Sequence, residues 1–147
     1  MNIFSLTPTE VDYNLITDVD KIVTFKIKTL DSMLKLHIDK VIRQELKKDG
    51  LTLTGVINLP EEDELKSVYL GLIYSVYCKY GLSGWSGMKN DKGEEVQFKT
   101  EKEVASFAGE IVCASKESLS GLKQTWITEL GSQIFSLNFL TKTEEKN

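Results

Sequence analysis

Four glycines around a tryptophan, Gly81, Gly84, Gly87 and Gly93 in YGLSGWSGMKNDKGEEVQF (80–98), are the residues of this chain best suited to holding an anion. A phosphate-cradling loop needs such glycines between a buried strand and a helix, so that backbone amides and the helix N-terminus face the charge. Here the order is reversed. An apolar helical stripe precedes the glycines, and the polar KNDKGEEVQF follows them. The G-x-x-G-x-x-G spacing also lacks the close G-x-G pair and the G-K-[ST] ending. Asn90-Asp91-Lys92-Gly93 instead reads as a reverse turn with Gly93 at the positive-φ position. The expectation is a small β-hairpin near residues 84–98, stapled to the helices by Trp85 and Phe98, with Gly87, Asp91 and Gly93 as its other structural residues.

The remaining reactive side chains form no constellation. His37 is the only histidine and has no serine, cysteine or aspartate motif beside it, so a surface or boundary place on a helix is expected. Cys78 and Cys113 lie on apolar stripes without a C-x-x-C partner, and read as reduced core residues of a cytosolic protein. No D-x-D-x-D-G or H-E-x-x-H motif offers a metal cage. Carboxylates gather at helix starts, where capping accounts for them. The expectation is a protein that is not an enzyme, with no catalytic residues, no metal and no cofactor. An enzyme built on scattered carboxylates would require a cleft in which several converge.

The elements that must position these residues are those of one domain, since 147 residues suffice for a single core. The 18 basic residues are scattered among 22 acidic ones rather than gathered in a stripe, which argues against nucleic acid as a partner. The N-terminal MNIFSLTPTE lacks the basic and apolar regions of a secretory signal. The longest apolar-rich run, Val68 to Cys78, is far shorter than the ~20 residues that span a bilayer. A soluble protein, with no membrane partner, follows as the expectation.

Along the chain, VDKIVTFKIKTL alternates as a short N-terminal strand. Asp31 can cap a helix with Leu34, Ile38, Val41, Ile42 and Leu46 on one face, ending at Gly50. LTLTGVINLP is a short strand or an ordered loop. Asn58 and Pro60 then open the strongest helix, with Leu65, Val68, Tyr69, Leu72, Ile73, Val76, Tyr77 and Tyr80 in one stripe that Gly81 terminates; its tyrosines read as packing. Thr100 and Glu103 form a capping box for a third helix carrying Val104, Phe107, Ala108, Ile111 and Val112. A fourth runs from about Lys116 to Leu140, capped by Ser115, with Leu119, Leu122, Trp126, Leu130, Ile134 and Leu137 in a stripe flanked by Ile127, Phe135 and Phe139. The fold class expected is therefore predominantly α: about four helices, a short N-terminal strand and the hairpin.

TPTEVDYNL, TFKIKTLD, GLSGWSGMKNDKGEEVQF and the closing IFSLNFLTKTEEKN together resemble the tail assembly chaperones of long-tailed bacteriophages. The matching positions are Phe25 and Leu30, then Trp85, Gly87, Asp91, Gly93, Val96 and Phe98, then Ile134, Leu137, Leu140, Glu144, Lys146 and Asn147. Ser86 stands where an acidic residue is expected, and Asn138 replaces a small one. The resemblance implies a protein that coats the tape measure protein during tail assembly, in the bacterial host cytoplasm and not in the mature virion. It implies helix-in-groove capture by an apolar band, for which Trp126, Ile127, Phe135 and Phe139 are the candidate residues. Self-association stays open. The alternative is another phage-encoded binding protein, a virion structural component or an inhibitor of a host defence system.

Overall fold

Alternation in TFKIK puts Phe25 and Ile27 on one face and Lys26 on the other, and the segment is a strand in the structure, a computed structural model that describes residues 9–20, 22–105 and 108–139. This strand, β2 (Thr24–Lys28), lies between β1 (Glu10–Asn14) and β3 (Leu82–Ser86), all antiparallel. The register sets Tyr13, Phe25 and Trp85 in one row across the sheet. Phe25 is fully buried, with Trp85 edge-on at 6.1 Å on one side and Trp126 at 6.0 Å on another. Such aromatic pairs add about 0.5–1.5 kcal/mol beyond the area they bury.

Helix α1 (Ser32–Lys48) starts where its cap predicts, the Asp31 side chain accepting from the Leu34 amide at 2.8 Å. Its Leu34, Ile38, Ile42 and Leu46 are buried. The ambiguous segment after it contains a single helical turn, α2 (Leu53–Ile57), capped by Thr52. Helix α3 (Glu64–Gly81) is capped by Asp63 rather than Asn58, and Pro60 lies ahead of it. It packs along α5 (Gln124–Phe139) at close range. Gly131 permits the approach: a Cβ there would sit 2.4 Å from the Tyr74 Cβ and 2.6 Å from the Tyr74 carbonyl oxygen.

The predominantly α expectation is overturned, because the described residues form five helices and five strands in two antiparallel sheets. The described residues between 100 and 112 form no third helix. In its place β4 (Thr100–Ala105) pairs with β5 (Gly109–Ala114), Glu103 opposite Ile111 and Glu101 opposite Cys113. Five apolar positions fitted the helical period, yet Thr100, Val104, Ile111 and Val112 are β-branched and Gly109 takes φ 70° where the strands meet. The capping box does not form. Phe107 lies outside the described residues, as do Leu140, Glu144, Lys146 and Asn147. The long fourth helix is two: Ser115 caps α4 (Lys116–Ser120), and the chain breaks at Gly121 before α5 begins.

Candidate functional site

The four residues proposed as a partner surface do not share a face. Trp126 and Phe135 are nine positions apart, and at about 100° per residue this puts them on opposite sides of α5. Ile127 is buried in the core, and Trp126 is half-buried against Phe25. Phe135 and Phe139 remain together. Their rings stack at 5.0 Å, each meets Tyr77 of α3 edge-on at 5.6 and 5.7 Å, and the Lys35 ammonium lies 5.2 Å from the Phe139 ring centre. Phe135 is 38% exposed. Burial, followed by the nearby Asp39 carboxylate and Tyr74, pushes the Tyr77 hydroxyl up to about 12. Met33 and Leu36 stand exposed on the first two turns of α1, the part of that helix carrying Lys35.

Trp126 instead faces a cleft of about 790 Å³ that it lines with Trp85, Met88, Val96 and Leu122. The expected hairpin is corrected here. Trp85 belongs to the three-stranded sheet, and only a short turn follows, closed by the Lys89–Glu95 bridge with Asp91 at its tip. The turn chemistry is as read: Gly93 takes φ 78°, and the Asn90 side-chain oxygen accepts from the Lys92 and Glu94 amides. Trp85 and Phe98 do meet, edge-on at 5.0 Å, and Gly87 takes φ 82° beside the Ile22 carbonyl.

Sequence reasoning missed a polar cluster under the β4–β5 hairpin. His37 is buried, correcting its expected surface or boundary position, and Tyr80 is 1% exposed. The Glu103 carboxylate accepts from His37 Nε2 at 3.0 Å, from the Tyr80 hydroxyl, and from Lys79 Nζ at 2.7 Å. Because an ionised carboxylate can only accept, His37 carries its proton on Nε2. Its Nδ1 is buried with no partner among the described residues. Burial alone would raise the Glu103 carboxyl, but hydrogen bonds from Lys79, Tyr80 and His37 outweigh it and hold the group at about 2. Burial and the bond to Glu103 push the Tyr80 hydroxyl far up. A donor set aimed at an ionised acid suits holding a carboxylate better than moving a proton.

A second carboxylate organises the connection between β1 and β2. Glu129 of α5 accepts from the Ile16 and Thr17 amides at 2.6 and 3.1 Å, from the Thr17 hydroxyl at 2.9 Å and from the Tyr13 hydroxyl at 2.5 Å. Asn138, the departure near the end of α5, is buried. Its side chain accepts from the Leu30 amide at 2.6 Å and donates to the Lys28 carbonyl at 3.1 Å, tying α5 to the end of β2. Cys78 and Cys113 are both buried and free, the Cys78 thiol pushed up by burial to about 12. Among the described residues no cluster could hold a metal ion, and no helix is long and apolar enough to cross a membrane.

No family model matches the chain, and no curated protein or solved structure matches it, so the geometry and the sequence resemblance carry the functional argument.

Proposed function

We propose that this chain is a binding protein without catalytic activity, and that it takes an amphipathic helix of a partner on the face formed by Phe135 and Phe139, which buried Tyr77 supports from beneath. The observation that carries the reading is the stacked Phe135–Phe139 pair, an aromatic step of which Phe135 is 38% exposed. Large rigid aromatics cost little conformational entropy to dock, and they anchor helix-in-groove contacts. Trp126 and Ile127 are excluded from this face by their position on α5. With the sequence resemblance, the partner proposed is a phage tape measure protein, whose long apolar helical faces need cover until tail tube subunits assemble around them. The place of action is then the cytoplasm of the bacterial host.

Co-expression with the tape measure protein of the same genome tests this. The expected outcome is a soluble complex that co-purifies, and its loss in Phe135→Asp with Phe139→Asp while the helical circular dichroism is kept. No complex with the unaltered chain would turn the reading towards a virion component or a host-directed inhibitor. A double variant that unfolds would make the pair core rather than contact surface.

A further inference from the structure

The three donors on Glu103 come from one part of the molecule and the acceptor from another. His37 is on α1, and Lys79 and Tyr80 are on α3, all within the helical body. Glu103 projects from β4, whose opposite face presents Lys102 and Val104, the latter 81% exposed. The donors are fixed independently of the hairpin: the His37 and Tyr80 rings pack edge-on at 5.3 Å, and Lys79 lies 5.4 Å from the Tyr80 ring centre. If the hairpin lifted, the His37 ring nitrogen and the Tyr80 hydroxyl, which lie 3.3 Å apart, would lose their shared acceptor beside an ammonium, an arrangement that favours an anion. The Glu103 side chain is 27% exposed, so the site opens to solvent along one edge. Glu101 and Cys113 share the inner face of the hairpin and add no cation that could hold Glu103 from its own side.

We propose that His37, Lys79 and Tyr80 form a carboxylate-binding site on the helical body, occupied internally by Glu103, which makes the β4–β5 hairpin a strap that a side-chain carboxylate on an extended partner segment can replace. The ligand class follows from the donors: two hydrogen bonds converge on one oxygen and an ammonium meets the other, which suits a planar carboxylate. Presentation on an extended segment follows from the present occupant, which arrives on a β-strand. This site is separate from the aromatic face on α5, and its test needs no partner protein.

The test uses the full chain with Glu103→Ala, followed by amide hydrogen exchange in sodium acetate and in sodium chloride of equal ionic strength. Acetate restores the group that alanine removes. The expected result is exchange at least about tenfold faster in β4 and β5, with α1 and α3 still protected. Acetate, unlike chloride, should slow that exchange again and saturate. Equal effects of the two salts would overturn the proposal. Should Glu103→Ala fail to fold, Glu103→Gln keeps the shape but sets an amide against Lys79. Faster exchange confined to the hairpin is then expected, and unchanged exchange would sink the strap.

Discussion

Glu103 and Glu129 both clasp a strand pair to the α3–α5 platform, and they do so in opposite directions. Glu129 reaches out from the helix to the connection between β1 and β2, where it gathers two amides and two hydroxyls. Glu103 reaches in from the strand to buried donors on two helices. Ile16 is 74% exposed, so the amides on Glu129 would be hydrated if the carboxylate left, and the clasp mainly orders a loop. The donors on Glu103 have poorer access to water, because His37 and Tyr80 are buried. A carboxylate of the same type thus organises a surface in one place and satisfies an interior in the other. What differs is the solvent access of the donors.

The most severe way to break the comparison is to remove the platform on which both clasps stand. Gly131→Ala puts a Cβ within 2.7 Å of the Tyr74 backbone and should cost about 3 kcal/mol, read as a lower denaturant midpoint with the slope unchanged.

Acid should separate the two clasps next. The Glu103 carboxyl is held at about 2 in the folded state against an ordinary 4.5, so its stabilisation is fully present above pH 4.5 and fades as pH falls toward 2. The loss over that range should be on the order of 2 kcal/mol, and Glu103→Gln should flatten it. Glu129 is lowered too, with burial opposing and the bonds from Tyr13, Ile16 and Thr17 prevailing. Its acid dependence has the same sign, and Glu129→Gln should flatten the curve less than Glu103→Gln. Equal flattening would mean that donor burial does not set the difference.

The smallest effect belongs to Tyr13→Phe, which should cost about 0.5–1 kcal/mol because the other three donors on Glu129 remain. Its hydroxyl is raised to about 12 by burial, then by the bond to and charge of Glu129. The stability it contributes is therefore present below pH 10 and lost as pH rises toward 12, a loss absent from the phenylalanine variant in alkaline thermal unfolding.

Much of the helical skeleton could be read directly. Asp31 caps α1 as its spacing implied, α3 ends at Gly81, and the Asn90–Gly93 turn takes its form from one asparagine side chain and one positive-φ glycine. Residues 100–114 read as a helix because Val104, Ala108, Ile111 and Val112 fall at the helical spacing i, i+4, i+7 and i+8. The signal that decides, Gly109 between two β-rich runs, lay outside the capping-box argument. Strand β1 escapes a reading by pattern because its alternation rests on two apolar residues alone, Val11 and Tyr13, and four of its five residues are exposed.

Local spacing determined the caps, the helical stripes and the turn, since each depends on groups within a few residues of one another. Tertiary structure alone decided the partners of the two carboxylates and which aromatics of α5 face solvent. Glu103 meets a histidine 66 positions away, and Glu129 a tyrosine 116 positions away. Such pairings are set by how the strands and helices stack, and no period in a single segment encodes them.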